Sequence, residues 1–283
     1  MLGWQPAAII AAGVAVLAAV LIRARRGRVV ATGRFAGEAA LLFGLFALWQ
    51  YAGSFALLPF SGGLPRARWL WHAERLLHLP NEVSVQQPFL PHPLLIEAFN
   101  LYYAVLHFPV LIGALIWLFL WHREYYRHVR STVVLFTAAS LLVQLIPVAP
   151  PRMLDGTGLV DTAFRYGQSV YASSLGLEAD QYSAMPSVHV GWALIVAIAV
   201  ITASRSRWRW AAILYPALTT LVVVVTANHF WLDGVAAAVL VLAALGIQRA
   251  AGSWPASTAS IPTTHRDRAG QRGGMRAGGA RTG

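Results

Sequence analysis

Long apolar segments recur along the chain and restrict it to a membrane-spanning fold. Each is close to the ~20 residues that an α-helix needs to cross ~30 Å of hydrocarbon. Hydrophobic residues make up 57% of the chain and charged residues 12%, which excludes an ordinary soluble domain. We therefore predict an all-α, polytopic integral membrane helical bundle with six to seven transmembrane helices. The predicted spans are residues 6–22, 35–58, 94–120, 131–148, 188–203, 210–226 and 230–247.

The basic residues indicate which loops face the cytoplasm. The chain has a formal net charge of +11, and all 22 of its basic residues are arginine. Most follow the first, third and fifth spans or lie in the C-terminal tail, as the positive-inside rule expects of cytoplasmic segments. No positive charge precedes the first span, which favours an anchor over a cleaved signal peptide. The pattern predicts a multi-pass plasma-membrane protein with a cytoplasmic C-terminus. Because this topology explains the positive net charge, no nucleic-acid partner is expected.

Three polar clusters lie at the ends of apolar segments, where polar side chains are costly unless they have a function. They are residues 150–152, 187–189 and 228–233. The arginine pattern places all three on the extracytoplasmic side. Together they supply a guanidinium, a hydroxyl, two imidazoles and a carboxylate. Phosphoryl transfer needs such groups to hold oxyanions, attack phosphorus and protonate a leaving group.

The third cluster contains a possible nucleophile and its partner. If the last span begins near Asn228, the i,i+4 spacing places His229 and Asp233 on one helix face. The carboxylate would then accept a hydrogen bond from one imidazole nitrogen and leave the other nitrogen free to attack. The alternative is an interfacial His–Asp pair that only caps the helix.

The second cluster contains a possible general acid. Ser187 is predicted to be the N-cap of the helix that follows, with His189 in its first turn. Unpaired backbone N–H groups and the helix dipole at that end suit a phosphate. His189 would stand beside it and protonate a leaving alkoxide. The alternative is an ordinary capped helix with an interfacial histidine.

Arginine side chains complete the predicted site. Arg152 follows two prolines at the outer end of a span, and its guanidinium can donate two hydrogen bonds to phosphate oxygens. Arg165, in the same outer loop, is a weaker second candidate. Either side chain could instead extend towards the membrane surface without a role in chemistry. The chain has no HExxH motif, acidic metal cluster or phosphate-binding P-loop, so no metal or cofactor is expected.

With these residues, the chain resembles the type 2 phosphatidic acid phosphatase (PAP2) superfamily. It is most similar to the branch of inositol-phosphoryl-ceramide synthases and inositolphosphotransferase-like bacterial membrane proteins. The resemblance lies in IPVAPPR at 146–152, AMPSVH at 184–189 and NHFWLD at 228–233, with GLVDT at 158–162 as a further match. It extends over about 131–250.

The resemblance implies roles for individual residues. His229 would attack phosphorus and form a phosphohistidine, Asp233 would orient it, and His189 would protonate the departing alcohol. Arg152 and Ser187 would hold the phosphate oxygens. It also implies a metal-independent reaction at the extracytoplasmic face, in agreement with the topology that the arginines predict.

Two cationic positions of the phosphatase branch differ in this chain. Its lysine before the first-motif arginine is replaced by Leu145, and its Ser-Arg pair before the third-motif histidine is replaced by Val222 and Val223. Fewer cations suit a phosphodiester better than a doubly charged monoester. This favours transfer of a headgroup phosphate over monoester hydrolysis, although Arg165 could substitute.

The sequence thus predicts a lipid phosphotransferase that moves a headgroup phosphate, such as inositol phosphate, from a membrane phospholipid to a lipid or polyol hydroxyl. The alternative is a PAP2-type hydrolase that uses water to release phosphate from lipid or polyprenyl phosphates. An alternative of another class is a non-catalytic phospholipid transporter or binding protein, for which Glu97, His107 and Gln144 would provide a polar path.

Three regions are expected along the chain. Residues 1–130 form N-terminal transmembrane helices, 131–250 a PAP2-like catalytic membrane core, and 251–283 a disordered cytoplasmic tail. Within the first region, 59–93 has paired tryptophans and apolar residues at helical spacing, which predicts a helix lying in the membrane interface. That outer segment is either a plain anchor or a lid or acceptor site.

Overall fold

The computed structural model describes residues 4–23, 27–52, 58–169 and 181–251. Within these ranges the fold is all-α, with no β-strand and one isolated bridge between Val148 and Ser183. A π-helical turn at Tyr102–Leu106 joins two of the helices, and 3₁₀ turns cover Phe60–Gly62, Pro151–Met153 and Arg207–Ile213. The α-helices are α1 (Trp4–Arg23), α2 (Gly27–Ala52), α3 (Gly63–Leu76), α4 (Glu82–Gln86), α5 (Pro93–Leu101), α6 (His107–Trp121), α7 (Arg123–Gln144), α8 (Thr162–Arg165), α9 (Val188–Ala203), α10 (Leu214–Val225) and α11 (Trp231–Ala250).

Four helical stretches within the described ranges are long and apolar enough to cross a membrane: Gln5–Arg23, Pro93–Trp121, Arg207–Val225 and Trp231–Ala250. α9 is apolar but has only 16 residues. The chain is therefore a membrane protein, while the expected six to seven spans are not confirmed. The predicted spans 35–58 and 131–148 overlap α2 and α7, which begin earlier than predicted because their first turns are polar yet helical.

α9 lies at the centre of the described bundle. Its residues are almost all apolar, and it packs against α6, α7, α10 and α11, as a helix in the interior of a bundle should. Gly191 allows the closest of these approaches, because a Cβ there would lie 1.9 Å from Cζ of Phe136 on α7. The first turn of α9, which carries His189, is therefore held tightly against its neighbours.

The N-terminal helices α1 and α2 form a pair beside this bundle, and α2 contacts α7. The contact contains a partly buried ionic group. Glu38 of α2 accepts hydrogen bonds from Arg130 Nη1 at 2.7 Å and from Tyr126 Oη at 3.0 Å. The predicted boundary near residue 130 falls within α7, and the division into three regions stays a prediction. The predicted tail lies almost wholly outside the described residues.

The outer segment 59–93 lies over one end of the bundle. Ala67 and Leu70 of α3 are buried in an apolar cluster with Ala149 and Phe230. Gln86 of α4 donates hydrogen bonds to the carbonyl oxygens of Val225 at 2.8 Å and Val160 at 2.9 Å. The segment is thus packed against the same end of the fold at which the predicted site lies.

Candidate active site

The three polar clusters meet at one end of the bundle. The first joins the third through the hydrogen bond from Arg152 Nη1 to Oδ1 of Asn228, and the backbone N–H of Arg152 donates to the carbonyl of Ala227, which precedes Asn228, at 3.0 Å. The second joins the third through a bond from the N–H of Ser187 to the carbonyl of Asp233, at 3.1 Å. Segments that are distant in sequence therefore form one polar centre, as predicted.

His229 lies in the link between α10 and α11, ahead of the last helix. α11 begins at Trp231, one residue after the predicted start of the last span, so His229 precedes the helix instead of lying in its first turn. The i,i+4 pair still meets, since the Asp233 carboxylate turns back to cap the start of the helix. Its Oδ2 accepts a hydrogen bond from the N–H of Phe230 at 2.8 Å and lies 3.3 Å from Nδ1 of His229. The Asp233 carboxylate thus caps the helix and contacts His229 at the same time.

Two acceptors surround Nδ1 of His229. The carbonyl oxygen of Ala184 lies 2.7 Å away and is closer than the Asp233 oxygen. Because both are acceptors, a proton on Nδ1 satisfies them and assigns the tautomer. Nε2 is buried and has no hydrogen-bond partner. The arrangement leaves one nitrogen lone pair of a 4% exposed histidine available for chemistry.

The second cluster has the predicted cap. Ser187 is fully buried and precedes α9, and its Oγ accepts a hydrogen bond from the N–H of Val190 at 3.4 Å. His189 lies in the first turn, with its ring centroid 5.6 Å from that of His229. Its Nδ1 is buried without a partner. The nucleophile and acid candidates are therefore neighbours.

Arg152 is the cation of the site. Its Nη1 donates a short hydrogen bond to Oδ1 of Asn228, and its Nε lies 3.4 Å from Oδ2 of Asp161. The side chain is only 5% exposed. Asn228 precedes His229, so its contact with Arg152 places the guanidinium next to the candidate nucleophile. A small cavity at this point is lined by both residues and by Tyr103, Asn100 and Gln168.

Arg165 lies apart from this centre. It is exposed at the end of α8, and its guanidinium lies 5.9 Å from the ring centroid of its neighbour Tyr166. Among the described residues, no contact joins Arg165 to Arg152, His189 or His229. Leu145, Val222 and Val223 are apolar where the phosphatase branch has cations or serine, and both valines are buried. Among the described residues, Arg152 is thus the basic side chain that lines the cavity.

Sequence reasoning missed several residues of the site. Tyr103 stacks on His189 with ring centroids 4.3 Å apart, and the carbonyl of Ala184 is an acceptor for His229. Asn100 and Gln168 share a side-chain hydrogen bond of 2.9 Å beside the cavity. Polar and aromatic residues inside the apolar stretch 94–120 were an available signal for Asn100 and Tyr103. A backbone carbonyl gives no sequence signal at all.

The described residues contain no group of three His, Asp or Glu side chains arranged to hold a metal ion. Comparison with known proteins gives one family. The model of the PAP2 superfamily matches residues 68–247, which is more than half of the chain and includes all three clusters. No curated protein and no solved structure matches.

Proposed function

The chain belongs to the PAP2 superfamily, and from this premise we propose that it is a metal-independent membrane phosphotransferase acting through a phosphohistidine on His229. Membership implies a phosphatase or a phosphotransferase. The observation that carries the proposal is the hydrogen bonding of His229. Nδ1 faces two acceptors, while Nε2 has none, so the lone pair that must attack phosphorus lies on Nε2.

The first half-reaction breaks the bond between phosphorus and the lipid oxygen. Nε2 of His229 forms a bond to phosphorus, and the electron pair of the breaking P–O bond goes to the departing oxygen. Protonated His189 gives that oxygen a proton. Asp233 compensates the charge that develops on the His229 ring, and Arg152 with Ser187 would hold the other phosphate oxygens.

The second half-reaction releases the enzyme. An acceptor hydroxyl attacks the phosphorus, its proton passes to neutral His189, and the electron pair of the N–P bond returns to Nε2. With a lipid or polyol acceptor the protein is a transferase, and with water it is a hydrolase. Both use the same residues, in agreement with microscopic reversibility.

The number of cations favours the transferase. Of the described residues that line the cavity, Arg152 is the basic one, and Arg165 is exposed and does not line it. A phosphodiester has one negative charge and a monoester has up to two, so one guanidinium matches the diester better. For this reason we propose that the protein belongs to the inositolphosphotransferase-like branch. The donor would be a phospholipid such as phosphatidylinositol, and the reaction would take place at the extracytoplasmic face of the plasma membrane.

The experiment measures where the ³²P label of a lipid donor is transferred. Purified protein in detergent with EDTA is incubated with phosphatidylinositol or phosphatidic acid, each labelled with ³²P, with and without an added polyol. We expect acid-labile, base-stable labelling of the wild type from phosphatidylinositol, and label passing to the polyol. Inorganic phosphate from phosphatidic acid would instead identify the hydrolase.

His229→Ala is the decisive variant and His122→Ala its matched control. His122 directly follows the last residue of α6, and its ring contacts Trp117 and not the site. His229→Ala should lose both labelling and turnover, while His122→Ala should keep them. Substrate binding without any phosphoprotein would favour the non-catalytic transporter. Turnover that survives His229→Ala would exclude the proposed mechanism.

A further inference from the structure

A third histidine faces the site from the first half of the chain. His107 begins α6, immediately after the π-helical turn, and is 3% exposed. Its ring centroid lies 4.8 Å from that of His189, with the two planes at 81°. A π-turn rotates the side chains that follow it relative to a regular α-helix, and such turns are frequent at functional sites. Here the turn brings Tyr103 and His107 to the same imidazole.

Only one of the two ring nitrogens of His107 has a hydrogen-bond partner among the described residues. Nδ1 lies 3.2 Å from the hydroxyl of Tyr215 on α10, while Nε2 is buried and has no partner. Nδ1 of His189 is also buried and has no partner. Buried polar nitrogens are rarely left unpaired, because each unpaired group costs free energy. Two such nitrogens on rings in contact are complementary if one carries a proton and the other does not.

We infer that His107 is a positioning residue for His189, with Nε2 of His107 accepting a hydrogen bond from Nδ1–H of His189. This inference rests on the proposed function, in which His189 is the general acid. The rings are close enough for a small side-chain rotation to form the bond, and catalytic hydrogen bonds commonly tighten only when substrate binds. His107 then keeps its own proton on Nδ1 and donates it to Tyr215 Oη.

The arrangement gives His189 the tautomer that catalysis needs. A neutral acceptor at Nδ1 stabilises the imidazolium and aims Nε2–H at the departing oxygen. When that proton moves to the alkoxide, His189 is left neutral with its proton on Nδ1, and His107 neither gains nor loses one. Tyr103 stacks on the same ring and restricts its rotation.

A role in general-acid positioning predicts dependence on the leaving group. Diacylglycerol is a poor leaving group and needs a proton, whereas p-nitrophenolate leaves without one. The two probes are therefore short-chain phosphatidylinositol and the p-nitrophenyl ester of inositol phosphate. If the wild type proves to be a hydrolase, the pair becomes phosphatidic acid and p-nitrophenyl phosphate. Each variant is compared with the wild type on both probes.

His107→Leu should slow the lipid probe by about 10- to 100-fold, a part of the ~10²- to 10⁴-fold that general acid catalysis supplies. The p-nitrophenyl probe should change by less than about 3-fold. His107→Gln should recover much of the loss, because its amide oxygen can accept from His189 Nδ1–H. Thermal unfolding of both variants in detergent reports whether they fold.

Two tyrosine variants provide a matched comparison. Tyr215→Phe removes the hydroxyl that contacts His107, and it should slow the lipid probe selectively but less than His107→Leu. Tyr102→Phe removes a hydroxyl that bonds Thr219 of the same helix α10 at 2.8 Å, and it should leave both probes unchanged. Equal slowing of both probes by His107→Leu, or no slowing, would overturn this inference alone. Lipid turnover that persists in His229→Ala would overturn the proposed function as well.

Discussion

Two carboxyl groups meet the first turn of α11, and they differ in almost every other respect. Asp233 belongs to the helix itself, and its Oδ2 accepts from the N–H of Phe230 at 2.8 Å. Glu74 comes from α3, and its Oε1 accepts from the N–H of Leu232 at 2.8 Å. Both are fully buried. The backbone of one helix end is thus capped once from within and once from the outer segment.

The surroundings of the two carboxyl groups separate their roles. Asp233 lies beside an imidazole whose other nitrogen is free, in a site that also contains Arg152. Glu74 lies beside Glu82, and both carboxylates interact with Arg75. Burial and the neighbouring Glu82 raise the pKa of Glu74 to about 9, so it is neutral at pH 7. With Glu74 neutral and Glu82 paired with Arg75, we expect these residues to have a structural role, in which Glu74 joins α3 to α11 through its bond with Leu232.

The strongest way to test this comparison is to make the same chemical change at both carboxyl groups. Asp233→Asn keeps an oxygen that can cap Phe230 but removes the charge that compensates His229. We expect turnover to fall about 10⁴-fold, as when the carboxylate of a catalytic histidine pair is neutralised. The phosphoenzyme assay described above measures it. A fall of less than about 3-fold would remove Asp233 from the mechanism.

A second test compares two arginines of the segment between α7 and α9. Arg152→Gln should lower turnover about 10²-fold, because one preorganised donor to the phosphate is lost. Arg152→Lys should recover part of the loss, since the charge returns without the bidentate geometry. Arg165→Gln is the matched control and should change turnover by less than about 2-fold, because its side chain is exposed and away from the site.

A smaller effect is expected at Asp161, which pairs with Arg152 at 3.4 Å and caps α8 through the N–H of Phe164. Asp161→Asn keeps the cap and loses the charge. The carboxylate is one-third exposed, so its pairing energy is modest. We expect about a 5-fold rise in KM with little change in kcat, because only the orientation of Arg152 is affected. An unchanged KM would show that the contact with Asp161 is not needed to hold the guanidinium.

The smallest effect on activity is expected at Glu74. Glu74→Gln resembles the protonated acid, since its amide oxygen can accept from Leu232 and its amide N–H can donate to Glu82. Turnover at pH 7 should therefore stay within about 2-fold of the wild type. The measurable effect of Glu74→Gln is on how the free energy of unfolding depends on pH. Because the folded pKa of Glu74 is about 9 and its usual value is 4.5, the folded state binds this proton more tightly.

The proton on Glu74 stabilises the folded state most at low pH. Stability from the retained proton is fully present below pH 4.5 and is lost progressively as the pH rises towards about 9. The wild type should therefore unfold at lower temperature at pH 9 than at pH 6, and Glu74→Gln should show a weaker decline. Thermal unfolding in detergent across this pH range measures both. Parallel curves for the two proteins would mean that Glu74 is ionised in the folded state.

The sequence determined what depends on short-range patterns. The residues 188–203 were predicted as a helix and form α9, and Ser187 caps it, because capping joins residues only three positions apart. The all-α membrane fold follows from segment length and apolarity. The pairing of His229 with Asp233 also survived, although α11 starts after His229, because four residues of separation suffice in either geometry.

The tertiary structure alone decided what depends on distant residues. The closest acceptor of His229 is a carbonyl 45 positions away, and the contact between His189 and Tyr103 joins separate halves of the chain. Glu74 and Leu232, 158 positions apart, meet only because α3 packs on the end of α11. Periodicity and caps record interactions within one turn of a helix. Contacts between helices depend on how whole faces pack, which no local pattern specifies.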